Sequence, residues 1–268
     1  LLVAIVVLLT ALPFVNKAFH IDDPFVLRII ENIRKNPCDP FAGEFDWFGS
    51  LQPIFQTTTN PPFISYYLSP FVAYFGYSEI ALHSAMMLFL FLFGWGMQIL
   101  AKRFAEGSIF PLLFLMVSPA VMVSGNVMRD TPAAGLSTAA VALWVLGTDR
   151  ENRFYLVGGA IFAGLAMLTK YSAVILIPVL LIYPLLKRKL WVWKWIFPAL
   201  AVFGVWCMQN IAIHNQMHIV YLTLHRGEEG HLPWLDKALG ALVITGSMIY
   251  LMPALVWSEI QRHRWICF

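Results

Sequence analysis

The sequence predicts an all-α protein, a polytopic bundle of about eight transmembrane helices with interfacial helices in its first outer loop. The composition is the first observation behind this prediction. Of 268 residues, 59% are hydrophobic and 12% are charged, about half of the roughly 25% charged residues that are usual in soluble domains. The second observation is that the charged residues separate long apolar windows. A transmembrane helix needs about 20 mostly apolar residues, which several of these windows supply.

The candidate spans follow one another along the whole chain. Residues 1–15 are apolar but have no initiator Met, basic start or small-residue cleavage site, so they are interpreted as a membrane helix lacking its beginning rather than a signal peptide. The sequence predicts one domain over residues 1–268, incomplete at both ends. The further spans are residues 80–101, 107–128, 131–148, 154–169, 171–186, the first half of 195–225, and 238–258.

Residues 17–62 are predicted to form the first outer loop, which contains an amphipathic helix on the membrane surface. Asp23-Pro24 is typical of an N-cap followed by the first helical residue. Residues 36–60 are rich in turn-forming and aromatic residues, and they indicate a lid or docking surface. The apolar face of the helix would consist of residues at helical spacing: Phe25, Val26, Ile29, Ile30 and Ile33.

The segment 62–76 decides which side of the membrane the first loop occupies. It is short and contains Pro70, which removes a helical hydrogen bond, so we expect it to lie along the interface rather than to cross. Asp22 and Asp23 then share a side with Asp130 and Lys170.

Loop charges set the orientation, because cytoplasmic loops retain Lys and Arg. The loops with more Lys and Arg are predicted to be cytoplasmic. They contain Lys102, Arg103, Arg150, Arg153, Lys187, Arg188, Lys189, Lys194, Arg262 and Arg264. The polar sites at Arg129-Asp130, at Lys170 and at the loop with Arg226, Glu228 and Glu229 then face the periplasm or lumen. A bacterial inner membrane with a periplasmic site is the predicted location.

Several classes of function are disfavoured. A net charge of +3 without long basic runs argues against nucleic acid as a partner. Three cysteines without a C-x-x-C motif indicate neither a disulfide framework nor a cysteine metal site. His214 and His218 have the spacing of two metal ligands on a helix but lack a third ligand nearby. A divalent metal is therefore not indicated, although it remains open, and no cofactor is required.

An ordered set of short motifs resembles the GT-C superfamily of integral-membrane glycosyltransferases, in its branch of protein O-mannosyltransferases and aminoarabinose transferases. The resemblance covers roughly residues 1–190, and family members more often have Asp-Glu where this chain has Asp22-Asp23. The motifs are His20-Ile21-Asp22-Asp23-Pro24, Asn60-Pro61-Pro62-Phe63, Phe75-Gly76-Tyr77-Ser78-Glu79, Ser118-Pro119, Arg129-Asp130 and Leu168-Thr169-Lys170-Tyr171.

The resemblance implies transfer of a sugar, with inversion, from a polyprenyl- or dolichyl-phosphate donor to an acceptor on a protein, lipid or glycan. It implies that Asp22 is the catalytic base, that Asp130 is a second acid and that Lys170 lies near the donor phosphate. Such a reaction needs a carboxylate to deprotonate a hydroxyl and a cation to hold the leaving phosphate. The further site candidates are Asp23 as an acid, Arg129, Tyr171 and His20 for the phosphate, and Asn60 and Pro62 for the substrate pocket.

Structural interpretations of the same residues stay open. Asp23 could cap a helix, and Arg129-Asp130 could form a local ion pair or cap a helix that begins at Thr131-Pro132. Lys170 could extend its ammonium to the membrane surface.

Two other functions also stay open for the whole protein. A transporter or flippase of lipid-linked sugars would use the same cations without a base. A non-catalytic membrane subunit would bind partner subunits and no donor.

Overall fold

The fold is described by a computed structural model that covers residues 1–47, 49–105 and 126–225. The chain divides into a unit of residues Leu1–Leu222 and a unit of residues Thr223–Phe268. Nearly all of the second unit lies outside the described residues, as do the predicted span 238–258, most of 107–128 and the loop with Arg226, Glu228 and Glu229.

The described residues are mainly helical, and we number the helices in chain order. Short 3-10 turns at Leu12–Phe14, Tyr171–Ile175 and Leu190–Ile196 precede or follow apolar helices. The helices are α1 Leu2–Ala11, α2 Asp23–Lys35, α3 Ile54–Thr57, α4 Phe63–Phe75, α5 Glu79–Phe104, α6 Asp130–Arg150, α7 Arg153–Met167, α8 Leu176–Leu186, α9 Phe197–His214 and α10 His218–His225.

Three described stretches are long and apolar enough to cross a membrane: Glu79–Phe104, Asp130–Arg150 and Leu190–His214. The predicted spans at 1–15, 154–169 and 171–186 correspond to shorter apolar helices. A membrane-protein fold is therefore supported, whereas the predicted total of about eight spans is not confirmed.

Helices α5, α6 and α7 form the centre of the bundle through close backbone contacts. A Cβ added to Gly96 of α5 would lie 2.9 Å from the backbone of Thr138 in α6, and one added to Gly159 of α7 would lie 2.9 Å from the carbonyl oxygen of Ala140. Small residues at these positions allow membrane helices to approach closely. Close packing matters in a membrane because burial of apolar side chains against another helix gives little advantage over contact with lipid. Trp144 of α6 is fully buried in the same core.

The first loop packs on this bundle through α2 and a small hairpin. The amphipathic pattern of α2 is confirmed, and its apolar face is covered by protein: Ile29 and Ile30 are fully buried, on the side that contacts α4. The hairpin pairs β1 (Glu44–Asp46) with β2 (Leu51–Pro53) in antiparallel register, with Phe45 opposite Gln52. The predicted position of 62–76 along a membrane interface stays a prediction, although α4 does form as a helix there.

Candidate functional site

The first polar cluster forms where the chain enters α2. The predicted cap is wrong by one residue, because the helix begins at Asp23 and Asp22 occupies the N-cap position without a capping hydrogen bond from its side chain. The Asp23 carboxylate instead turns inward and accepts a 2.7 Å hydrogen bond from the backbone N–H of His20. This different bond is available because His20 and Asp23 close a tight turn.

Asp23 is completely buried. Its Oδ1 has no hydrogen bond of ordinary geometry among the described residues. Burial raises the pKa of this carboxyl, and the nearby backbone groups of His20 and Val127 oppose that rise only in part. The Asp23 side chain is thus closed off from solvent, and its predicted role as an acid stays a prediction.

Asp22 points the other way and remains accessible. About 45% of its side chain is exposed, and its Oδ2 lies 3.7 Å from Nδ1 of His20. Among residues 1–47, 49–105 and 126–225, no Lys or Arg lies within 4.0 Å of this carboxylate.

The second polar cluster lies at the start of α6. The helix begins at Asp130, not at the predicted Thr131-Pro132, and no side chain caps it at Arg129. The Arg129 guanidinium lies 5.9 Å from the ring centroid of Phe25, and its Nη2 is buried without a hydrogen-bond partner in the described part of the chain. Burial lowers the Arg129 pKa to about 10, so the group stays charged at neutral pH.

Lys170 joins this cluster from the turn that follows α7. Its backbone N–H donates to the carbonyl oxygen of Ala166 at 2.9 Å, just after the helix ends at Met167. The Lys170 Nζ lies 2.5 Å from Asp130 Oδ1, with 35% and 58% of the two side chains exposed. Among the described residues Asp130 therefore pairs with Lys170 from the turn after α7, and the local ion pair anticipated between Arg129 and Asp130 does not form within 4.0 Å.

These clusters surround one cavity of about 250 Å³. Five of the predicted site residues share its wall: Asp22, Asn60, Arg129, Asp130 and Lys170. Asp22 and Lys170 consequently lie at the same end of the bundle, as the predicted path of residues 62–76 requires. The remaining lining residues are Phe25, Val26, Trp47, Thr57, Thr59 and Met128.

Four predicted site residues do not line the cavity. Asp23 is buried beneath Asp22, and His20 lies beside Asp22. Pro62 is buried at the start of α4. Tyr171 turns away from Lys170, and its hydroxyl is hydrogen bonded to His218 and Trp206.

Sequence reasoning missed the contributions of Trp47, Thr57 and Thr59. The turn-rich, aromatic character of residues 36–60 indicated a lid or docking surface but singled out no side chain, because no periodicity identifies which residues of an irregular segment face inward. The buried His218 was considered only as a metal ligand. Among the described residues, no group of three or more His, Cys, Asp or Glu is placed to hold a metal ion.

Comparison with known proteins identifies the family. The family model of dolichyl-phosphate-mannose-protein mannosyltransferases matches residues 59–214, more than half of the chain. This chain belongs to that family. The mannosyltransferase family match includes Asn60, Arg129, Asp130 and Lys170, whereas Asp22 precedes the matched residues. Searches of curated proteins and of solved structures found no match.

The family assignment agrees with the composition and the three candidate spans. The protein has the character of a membrane glycosyltransferase, and the family uses a polyprenyl-phosphate sugar donor in a membrane setting. Within the described residues, the cavity brings together charges of both signs, including the exposed pair of Asp130 and Lys170.

Proposed function

We propose that this protein is an inverting membrane glycosyltransferase that moves a sugar from a polyprenyl- or dolichyl-phosphate donor to an acceptor hydroxyl. The observation that carries the proposal is a cavity lined by two carboxylates and two cations, Asp22 and Asp130 with Arg129 and Lys170, in a chain of the mannosyltransferase family.

Asp22 is the base in this proposal. The acceptor oxygen attacks the anomeric carbon from the face opposite the phosphate, and the hydroxyl proton passes to the Asp22 carboxylate. The bond between the anomeric carbon and the phosphate oxygen breaks, and its electron pair leaves with the phosphate. Asp22 suits this role because it is accessible and has no Lys or Arg within salt-bridge distance among the described residues.

Arg129 and Lys170 hold the donor phosphate. Arg129 is pre-positioned for an anion, since its buried Nη2 has no partner within the described ranges, and a charge-assisted bond to phosphate would satisfy it. Lys170 can turn from Asp130 to the phosphate at little cost, because exposed ion pairs contribute only about 0–1 kcal/mol. Asp130 is then free to orient the acceptor.

The size of the cavity supports a division of the donor between two environments. Small-molecule pockets usually measure about 300–1,000 Å³, and this one has about 250 Å³. It suits one sugar with its phosphate, while the polyprenyl chain remains among the apolar helices. Asn60, Thr57 and Thr59 present amide and hydroxyl groups to the sugar from one wall.

The site faces the periplasm or lumen in this proposal, since the more cationic loops lie at the other ends of the helices. A bacterial inner membrane is the proposed location. The acceptor is a hydroxyl of a protein, lipid or glycan at that surface.

The experiment supplies dolichyl-phosphate mannose with labelled mannose to membranes that contain the protein, with protein-free membranes as background. We expect label to leave the lipid fraction and to appear on an acceptor. Asp22→Asn should lower this rate about 10²- to 10⁴-fold while the affinity of the purified protein for dolichyl phosphate is retained.

Asp46→Asn is the matched control, because Asp46 is an exposed carboxylate of the first loop outside the cavity lining. Label that never leaves the lipid would overturn the proposal. Lipid-linked sugar that crosses the bilayer unchanged, in wild type and in Asp22→Asn alike, would favour a transporter instead.

A further inference from the structure

A buried chain of hydrogen bonds links two walls of the cavity behind its lining. His218, at the start of α10, is 1% exposed. Its Nε2 lies 3.1 Å from the carbonyl oxygen of Thr58, and its Nδ1 lies 2.8 Å from the hydroxyl of Tyr171. Thr58 stands between the lining residues Thr57 and Thr59, and Tyr171 directly follows the lining residue Lys170.

The direction of each hydrogen bond follows from the chemistry of its partners. A carbonyl oxygen only accepts, so Nε2 of His218 must carry the proton. In the neutral ring Nδ1 is then the acceptor, and Tyr171 donates its O–H to it. The Tyr171 oxygen in turn accepts the indole N–H of Trp206 at 3.1 Å. The chain therefore runs from Trp206 through Tyr171 and His218 to Thr58.

The surroundings hold the His218 ring in one orientation. The ring centroids of Phe41 and Phe55 lie 5.0 Å and 4.9 Å from that of His218. Thr58 is fully buried, and Trp206 is 6% exposed. Burial lowers the pKa of His218 to about 4, so the ring is neutral at physiological pH. Loss of either bond would leave a buried polar group without its partner.

A second link joins the same two walls at the backbone level. The N–H of Phe63, three residues after Asn60, donates to the carbonyl of Leu168 at 3.1 Å. The wall that carries Thr57, Thr59 and Asn60 is thus fastened to the Lys170 turn at two points, one on the backbone and one through His218.

We propose that His218 is a positioning residue that fixes the Thr57–Asn60 wall relative to Lys170, so that the sugar and the phosphate of one donor are bound together. This inference rests on the proposed function. His218 touches no substrate; it acts through Thr58 and through the tyrosine next to Lys170. A misplacement of about 1 Å at such a site can cost on the order of 10²-fold in rate.

Two substitutions by an amide side chain test the two hydrogen bonds of His218 one at a time. In His218→Gln the side-chain N–H₂ can reach the position of Nε2 and donate to Thr58, whereas in His218→Asn the amide oxygen can replace Nδ1 and accept from Tyr171. Because each variant keeps one of these two bonds and breaks the other, we expect both variants to raise the donor KM at least about tenfold with a smaller change in kcat.

A double-mutant cycle with Lys170→Met distinguishes positioning from a general loss of stability. If His218 acts by placing the wall relative to Lys170, the loss caused by His218→Asn should be much smaller once Lys170 is absent. A purely structural role would lower the amount of active protein in both backgrounds alike. A wild-type donor KM in His218→Asn, or fully additive losses, would overturn the inference.

Two measurements do not depend on turnover. The dissociation constant for dolichyl-phosphate mannose should be at least about tenfold higher in His218→Asn than in the wild type, and this comparison tests the inference even if the wild-type protein transfers no sugar and the proposed function fails. The ¹⁵N spectrum of labelled histidine should contain a signal with a protonated Nε2 and an unprotonated Nδ1 that disappears in His218→Asn. The opposite tautomer at that signal would contradict the chain of hydrogen bonds.

Discussion

The two ends of α6 carry charges of the same types, but the charges at one end are more fully paired and less exposed than those at the other. Asp130 is the first residue of this helix and Asp149 is the last but one, about 28 Å apart at 1.5 Å per residue. Asp149 accepts from Arg103 Nε at 2.5 Å and from the Tyr183 hydroxyl at 2.8 Å, and 24% of its side chain is exposed. Asp130 pairs with Lys170 and is 58% exposed.

The neighbours of these two carboxylates differ in the same way. Near Asp149, the Lys189 ammonium binds Glu151 at 2.9 Å and the carbonyl of Thr148 at 3.0 Å. Near Asp130, Arg129 has an unpartnered Nη2 in the described part of the structure, and Asp22 has no Lys or Arg within 4.0 Å there.

The presence or absence of partners distinguishes a structural charge cluster from a binding cluster. Charged groups that are fully paired with one another have few free donors or acceptors for a ligand, so they contribute to local stability. Charges held without partners cost free energy in the empty protein, and they are retained where a ligand supplies the missing bonds.

The largest expected effect is a pH dependence of the free energy of unfolding that is caused by His218. Because the folded pKa of His218, about 4, lies below its unfolded value of 6.5, the unfolded chain binds the extra proton between these values. Stability should therefore fall as the pH drops from about 6.5 to about 4, by about 3 kcal/mol at 1.36 kcal/mol per pKa unit. The measurement is the free energy of unfolding in detergent micelles at pH 7 and at pH 4.5.

His218→Asn isolates this contribution, because every other titrating group is shared with the wild type. Asp23 contributes with the opposite sign: its raised pKa makes its own contribution decrease as the pH rises. Equal pH slopes in the wild type and the variant would show that His218 is not buried in its neutral form.

Arg129→Met should weaken donor binding without weakening the fold. The lost charge-assisted bond to phosphate corresponds to about 1.5–3 kcal/mol, or roughly 10- to 100-fold in affinity. The free energy of unfolding should be unchanged or higher, since a buried cation without a full set of partners is removed and the methionine keeps the contact with Phe25. Titration with dolichyl phosphate measures the affinity.

Arg103→Met is the control at the opposite end of α6. It breaks a satisfied and partly exposed pair with Asp149, so it should change the free energy of unfolding very little and leave donor affinity unchanged. The distinction between the two ends fails if Arg103→Met reduces donor affinity as much as Arg129→Met does.

Asp130→Asn should have the smallest effect on binding, and in the favourable direction. It releases Lys170 from its 2.5 Å ion pair, which costs little because the pair is exposed, so the affinity for dolichyl phosphate should rise a few-fold. Transfer should fall if Asp130 orients the acceptor. A weaker affinity would show that Asp130 holds Lys170 in its binding position.

Much of the architecture could be predicted because it depends on the composition and on the period of the hydrophobic pattern. The apolar windows coincide with α5, α6 and the span ending at His214, and the 3.6-residue pattern of Phe25 to Ile33 coincides with the buried face of α2. The helix starts were less accurate: Asp23 is in the helix and not its cap, since capping depends on the geometry of the incoming chain.

The candidate site could be predicted where a charge interrupts an apolar run and, at Asn60, where a motif carries the family resemblance. Asp22, Arg129, Asp130 and Lys170 stand out in this way, and all four line the cavity. Trp47, Thr57 and Thr59 are ordinary residues of an irregular loop, and their position in the wall depends on how the hairpin packs. Tyr171 was predicted to bind phosphate because it follows Lys170, yet consecutive residues at the turn point in different directions.

The sequence by itself determined that this is a helical membrane protein with a few costly charges near the ends of its helices, because hydrophobicity and charge are properties of single residues and short windows. Only the tertiary structure decided which charges meet and which remain without partners. Residues 22, 129 and 170 are far apart along the chain, and their distances depend on the packing of α2, α6 and α7. The role of His218 was decided in the same way, because the two walls that it joins are brought together only by folding.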